Sequence, residues 1–450
     1  MKYTSNMILA LGLGLAGMAS AQTDSANAAL KEKVTNLEGQ VNGINESYLE
    51  TKGTVDKLAK IKVGGYIQAQ WQHADSIGSA VGPVQGGAFT SGSANQRIQL
   101  RRVRLKTTYD NVTSQYIMEF EARPSGLSLK DAEVVLREPW LNTFALKIGL
   151  QDRPFGFEIP YSSSAHESPE RSRGENIVFN GEKDLGVNLE VFPTDKMGLL
   201  QYFNLKGGVF TGTAGYNGGT GDEIDSTVDF IGRAGFKLPF NDLNLAVDGG
   251  VSYYGGKSQD LNDTVYAITG TTRTSTIGHK NGPVYRSIIG ADLQVYYTIP
   301  VVGDIVGGSS LRGGFMTGNT PGTIDSSGPY GASASPTPIF DRNFTSWYVQ
   351  WVQNFGTMFQ GVLRYDVYDP NTDVSGSDIG AAGKGLGVAD VKYSTLGIGG
   401  IYFWDSAVKV TAYYDMVTNE EVNAAATGSL APYKKDLKDN IFTLRAQVKF

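Results

Sequence analysis

Phe442-Thr443-Leu444-Arg445-Ala446-Gln447-Val448-Lys449-Phe450 is the stretch that settles the fold class. Its five apolar residues take every second position and its four polar residues fill the gaps. A period of two belongs to a strand with one apolar and one wet face; a helix stripe repeats at about 3.6 residues. The same alternation sets Trp347, Val349 and Trp351 against Tyr348, Gln350 and Val352. It recurs with Val408, Val410, Ala412 and Tyr414 against Lys409, Thr411, Tyr413 and Asp415, and with Ile67, Ala69 and Trp71 against Gln68, Gln70 and Gln72.

Sixteen such segments run near 62–73, 97–109, 114–123, 130–138, 144–151, 184–193, 200–212, 228–238, 244–255, 284–298, 309–317, 344–354, 357–368, 392–404, 407–416 and 440–450. An even count is what closure of an antiparallel bacterial barrel requires. Asp110–Thr113, Pro193–Gly198, Pro239–Asp242, Phe355–Gly356 and Asp405–Ser406 are short turns. The links near 74–96, 152–183, 256–283, 318–343, 369–391 and 417–439 are long and rich in glycine, serine and asparagine. Short turns at one end and long loops at the other are the asymmetry of an outer-membrane barrel. Ten residues rising about 3.3 Å each, tilted near 40°, cover roughly 25 Å, the height of its apolar belt. Aromatics near strand ends, such as Phe359, Tyr402, Trp404 and Tyr414, suit interfacial girdles. The reading is all-β: a 16-stranded antiparallel transmembrane β-barrel over 62–450.

Composition agrees with this class. The 450 residues include 57 glycines, 11% aromatics, only 19% charged residues and no cysteine. Glycine without a G-X-Y period excludes collagen, and the aromatics exclude a disordered chain. Lack of cysteine excludes a disulfide scaffold, a thiolate metal site and a cysteine nucleophile. A net charge of −6 gives no electrostatic reason to expect nucleic acid as partner.

Two segments precede the barrel. Residues 1–21 join Lys2, an apolar run from Met7 to Met18 and Ala19-Ser20-Ala21, the plan of a secretory signal peptide. The run is shorter than the roughly 20 residues a spanning helix needs. Its Gly12-x-Gly14-x-x-Gly17 has no strand before it and is not a dinucleotide fingerprint. Within 22–61, Leu30, Val34, Leu37, Val41, Ile44, Tyr48, Thr51, Val55 and Leu58 alternate by four and three residues. That seam predicts a short coiled-coil helix for oligomerisation; the alternative is a single amphipathic helix on a surface. Gly39, Gly43 and Gly53 each cost about 1 kcal/mol against alanine, so packing between copies would have to supply stability.

A barrel this wide holds water by default, so its chemistry resides in wall charges and in whatever narrows it. Arg97, Arg101, Arg102, Arg104 and Lys106 form the densest cluster, with no acid among residues 97–106. Ile98 and Leu100 share one parity, Val103 and Leu105 the other. A one-residue bulge near Arg101–Arg102 keeps all four in lipid and stacks Arg97, Arg102, Arg104 and Lys106 along the inner wall. Arginine facing lipid would cost about 2–4 kcal/mol at the midplane. Further bases of inward parity are Arg123, Arg137, Lys147, Arg312, Arg364, Lys409 and Arg445. The plainer reading pairs the arginines with Glu119, Glu121 and Glu133 on neighbouring strands. The 152–183 link mixes six acids with four bases and suits an infolded constriction loop carrying Arg153, Glu167, Glu170, Arg171 and Arg173. Setting Arg171 and Arg173 near Glu167 and Glu170 would create a transverse field that sorts solutes by charge. An extracellular flap with solvated charges is the alternative.

Arg101-Arg102-Val103-Arg104-Leu105, Tyr116-Ile117-Met118-Glu119-Phe120-Glu121, Leu129-Lys130-Asp131-Ala132, Lys147 through Gly156, Ser168-Pro169-Glu170-Arg171-Ser172 and Asp184-Leu185-Gly186-Val187 follow one another in that order. In order and spacing, over about residues 62–192, they resemble the phosphate-selective porin O and P family. The resemblance implies a trimer of sixteen-stranded channels with an infolded third loop and, in the best-known members, a basic ladder selecting phosphate. Arg102, Arg104 and Arg171 are the positions onto which it carries that ladder. Arg153 stands where the family often has lysine before Pro-Phe-Gly.

Other motifs fit less well. Asp369-x-Asn371-x-Asp373-x-Ser375-Gly376-x-Asp378 alternates oxygen ligands, yet Val374 occupies the place of the EF-hand glycine. His73, His166 and His279 lack metal-ligand spacing, and the serines 162–164 beside His166 lack a third group to orient a base. The leading expectation is a non-enzymatic, cofactor-free diffusion channel of the Gram-negative outer membrane, biased toward small anions such as phosphate. Its partners would be outer-membrane lipid and lipopolysaccharide, small hydrophilic solutes, and two further copies in a homotrimer. The alternatives are a general porin of weak or cationic preference and a structural or adhesive barrel with a plugged lumen.

Overall fold

A computed structural model describes residues 24–76, 95–123, 126–212, 227–302, 305–329 and 337–450. The proposed leader lies outside them. The chain divides into two units, Met1–Ile61 and Lys62–Phe450. In the first, helix α1 (Asp24–Leu58) leaves the seam residues Leu30, Val34, Leu37, Val41, Ile44, Tyr48, Val55 and Leu58 exposed. No helix among the described residues is long and apolar enough to cross a membrane.

The second unit is a single closed sheet. It begins with β1 (Ile61–Ala74), β2 (Gln96–Asp110), β3 (Ser114–Arg123), β4 (Gly126–Arg137), β5 (Phe144–Asp152) and β6 (Lys183–Val191). Then come β7 (Phe203–Phe210), β8 (Asp229–Phe240), β9 (Leu245–Gln259), β10 (Thr264–Thr269), β11 (Thr272–Ile277) and β12 (Pro283–Val302). The remainder are β13 (Ile305–Thr323), β14 (Ile339–Phe355), β15 (Phe359–Asp369), β16 (Tyr393–Phe403), β17 (Val408–Asn419) and β18 (Ile441–Lys449). β9 pairs directly with β12, so the wall has sixteen antiparallel strands, and β10–β11 is a hairpin outside it. β1 closes the ring on β18 in the register Tyr66↔Lys449 to Ala74↔Ile441. Among the described residues each wall strand has a neighbour on both sides, the condition for crossing lipid.

Side chains alternate as the sequence pattern demands. Thr443, Arg445 and Gln447 are buried in the interior while Leu444 and Val448 are exposed on the outer surface. Gln68, Gln70 and Gln72 point inward from β1. The turns β2–β3, β4–β5, β6–β7, β8–β9, β14–β15 and β16–β17 share one end; asparagines at positive φ (Asn142, Asn244) and Gly356 make three of them tight. At the opposite end the links are long, apart from residues 124–125 between β3 and β4.

Two apolar clusters order that opposite end. Phe155, Ile159, Val178 and Phe179, from the β5–β6 connection and its helix α2 (Arg173–Val178), pack on inward side chains of β7, β8, β9 and β12–β15. These include Phe210, Tyr254, Met316 and Tyr368. The second cluster joins Ile379, Leu386 and Val391 to Val422, Ala426 and Leu430, with Tyr266 and Ile268 of β10 against it. The 256–283 link, expected as a long connection rich in glycine, serine and asparagine, contains a hairpin that braces a folded cap. Its alternating Thr-rich face meets neither lipid nor a barrel core, which is why no strong period marked it.

Candidate functional site

The β5–β6 connection makes its polar contacts with the inner wall. Arg101 donates from Nε and Nη2 to Glu170 at 2.8 and 2.9 Å, Arg102 Nη2 donates at 2.7 Å and Arg445 Nη2 at 2.8 Å. One loop carboxylate thus gathers three guanidiniums from β2 and β18. Glu167 accepts from Arg312 Nη1 at 2.9 Å and Gln350 Nε2 at 3.2 Å, on β13 and β14. Arg364 Nη1 donates to Ser168 Oγ and the Glu170 carbonyl, both at 2.7 Å, and Lys409 donates to the His166 carbonyl at 2.9 Å. These contacts follow one arc of the wall, from β13 through β15, β17 and β18 to β2. Burial alone would raise the Glu170 carboxyl; Arg101, Arg102 and Arg445 outweigh it and hold the group well below the usual carboxylate range.

The adjacent arginines Arg101 and Arg102 both point inward, with Ile98, Leu100 and Leu105 exposed on the outside. The parity change falls at the expected pair, and Arg101 as well as the expected Arg102 is an inward rung. Arg104 is the most heavily paired. Its Nε donates to Glu121 at 2.7 Å, Nη1 to Glu119 at 3.1 Å and Nη2 to Glu182 at 2.9 Å. A Cβ on Gly65 would strike the Arg104 carbonyl oxygen, so glycine is what lets β1 lie this close to β2.

The other expected residues are placed as follows. Arg97 donates to Gln72 at 2.7 Å, and Lys106 lies 3.5 Å from Asp131. Arg123 pairs with Glu121, and Lys147 lies 3.4 Å from Glu133 and 3.7 Å from Glu190. Arg137 bridges to Asp110 at 3.3 Å at the short-turn rim, away from the loop. Arg153 is buried over the Phe179 ring and donates to the Gly181 carbonyl, tying the loop's two ends together. Arg171 donates to the Glu158 carbonyl at 2.8 Å, and Arg173 stacks 4.2 Å above Tyr393. Among the described residues no ion pair joins Arg171 or Arg173 to Glu167 or Glu170. Wall bases take Glu167 and Glu170, whereas Arg171 stays on the loop itself, on the Glu158, Ile159 and Tyr161 carbonyls and 3.8 Å from Glu182.

Two cavities follow the β2–β4 wall. One, of about 260 Å³ toward the long-loop end, is lined by Arg101, Arg102, Arg104, Arg123, Lys130, Arg171 and Lys183, with Glu182 the single acid. The other, of about 310 Å³ toward the short-turn end, is lined by Lys62, Arg104, Lys106 and Lys449 with Glu119. Arg104 borders both. Lys130, Glu182 and Lys183 were not singled out in the sequence; their only signal was a position at the base of the charged loop or the start of a strand.

The residues of the remaining motifs make these contacts. His166 Nε2 bonds the Tyr161 carbonyl, Ser163 Oγ bonds the Tyr66 hydroxyl and Ser162 bonds Ser164. Asp373 accepts from Asn343 and Asp378 from Ser375. Among the described residues no group of three acids or histidines is placed to hold a metal.

No family model and no curated protein matches the chain. Solved structures do. Pseudomonas putida OprB, in its high-pH structure, is similar with a TM-score of 0.53 at 10% identity, covering 89% of this chain and 96% of that one. Salmonella typhi OmpF, in complex with daunomycin, gives 0.50 at 12% identity, covering 87% and 97%. The barrel therefore has the fold of outer-membrane porins.

Proposed function

We propose that this chain is an outer-membrane porin of a Gram-negative bacterium, a passive diffusion channel for small hydrophilic solutes with a bias toward anions such as phosphate. The observation that carries the bias is the cavity at Arg104, walled by seven bases and one acid in a chain whose acids outnumber its bases by 45 to 39. A solute in a narrow passage feels the local field, not the net charge of the molecule. Glu119, Glu121, Asp131 and Glu133 stand beside the bases and pair with them, so the passage is a biased one and not a trap. The exposed seam of α1 supports a homotrimer joined by a coiled coil, and the leader supports export to a membrane of lipid and lipopolysaccharide.

Reversal potential in a planar bilayer under a potassium chloride gradient tests the bias. Chloride-favouring current is expected; cation-favouring current would replace this reading with a general porin of cationic preference. A plugged, adhesive barrel has one observation in its favour, the apolar packing of the loop against β7–β15. Negligible single-channel conductance would establish that reading instead.

A further inference from the structure

Glu182 stands alone in sign. Among the described residues it is the one acid lining the 260 Å³ cavity, and its side chain is only 11% exposed. Oε1 accepts from Arg104 Nη2 at 2.9 Å, and Oε2 lies 3.8 Å from Arg171 Nη1. The carboxylate is not on a mobile tip. The Arg153 amide donates to the Glu182 carbonyl at 3.1 Å, and the Arg153 side chain holds the preceding Gly181 carbonyl. Glu119 and Glu121 meet Arg104 from the next strand, β3, whereas Glu182 reaches the same guanidinium from the loop.

We propose that Glu182 is a built-in counter-ion of the channel: a tethered carboxylate that occupies the anion seat between Arg104 and Arg171 and that a permeating anion must share or displace. The inference rests on the anion-channel reading above. Conduction needs a site that draws an ion in yet lets it leave, and the cavity's seven cations, only partly offset from outside it by Glu170, Glu121 and Asp131, give it a high affinity for a multivalent anion. Glu182 lowers that affinity by competing from within. Arg104, Arg171, Lys130 and Lys183 more than offset the burial that would raise its carboxyl, keeping it well below the usual range, so the counter-ion is charged throughout the neutral range.

The test is inorganic phosphate titrated against chloride-carried single-channel current, in the full-length protein and in Glu182→Gln and Glu182→Asp. Glu182→Gln is expected to tighten phosphate block by about tenfold, the scale of one unit charge removed a few ångströms from the site, and to move the reversal potential further toward anions. Glu182→Asp keeps the charge on a shorter arm and is expected to lie between the two, which preserves the comparison should Glu182→Gln fail to insert. Unchanged or weakened block in both variants overturns the proposal. A cation-favouring wild-type protein overturns the anion-channel reading and this inference with it, a result visible before any variant is compared.

Discussion

Replacing Arg104 by glutamine removes one charge where the two cavities meet and leaves Glu119, Glu121 and Glu182 without their shared partner. An anion about 6 Å away loses ~0.7 kcal/mol of attraction at a water-like dielectric of ~80 and ~2.8 kcal/mol at ~20. At about 1.4 kcal/mol per tenfold, that is roughly a three- to hundredfold fall in its partition into the passage. Glu119 loses its ion pair, while Glu121 keeps Arg123 and Glu182 keeps Arg171; the freed negative charge acts in the same direction, so the reversal potential of Arg104→Gln is expected to move from anion-favouring toward cation-favouring. Arg102→Gln removes the same formal charge, yet Glu170 keeps Arg101 and Arg445. Its shift is expected to be at most about threefold, the water-screened end of the range. Bilayer recordings of both variants at about 0.1 M salt, where the screening length is about 10 Å, separate position from charge count. Equal shifts in the two, or an unmoved reversal potential in Arg104→Gln, would refute the reasoning.

Glu170→Gln frees the three guanidiniums that pin the loop to β2 and β18, so open-channel current noise should rise and anion preference should strengthen; quiet recordings would count against the pinning role. Glu175, on α2, is pushed up to about 8 by burial, with Glu158 and Asp292 adding to it and Arg171 and Arg153 opposing. A folded pKa above the ordinary 4.5 means that the neutral form fits the fold: the loop is at full stability below about pH 4.5, weakens as pH rises, and carries the whole penalty above about 8. Thermal unfolding in detergent should fall across that window in the wild type and flatten in Glu175→Gln; parallel profiles would sink the assignment. Leu37→Lys with Ile44→Lys puts charge into the α1 seam and should lower the temperature at which trimers dissociate in detergent gels, whereas an unchanged temperature would separate α1 from assembly.

Strand existence was legible because lipid and water each impose a rule on every second side chain. All sixteen wall strands coincide with the alternating segments, with ends that move by a few residues. The parity change at Arg101–Arg102 was legible for the same reason, since Ile98 and Leu105 can both meet lipid only if the phase slips between them. Pairing partners were not. Glu170 meets Arg445 across 275 residues and Glu167 meets Arg312 across 145, and no local period encodes such contacts. The charged loop invites an expectation of Arg171 and Arg173 facing Glu167 and Glu170; wall bases take both glutamates, and Arg171 turns to loop carbonyls and Glu182 instead. The hairpin β10–β11 and the apolar core of the cap escaped notice because their contacts are assembled from four separate links, each too short in apolar residues to announce a core.

That cap has a bearing on how the molecule is recognised from outside. Arg342 is bound to Asp390, Arg273 to the Lys384 backbone and Asn423 to the Ile379 backbone, around a dry centre of Ile379, Leu386 and Leu430. The roof is a folded surface, so a binder directed at it would be expected to read a conformational epitope and to lose it on heat denaturation. A peptide tag spliced near Ile379 would have to split that surface apart, whereas one placed at the tip between Thr269 and Thr272 would merely lengthen a hairpin.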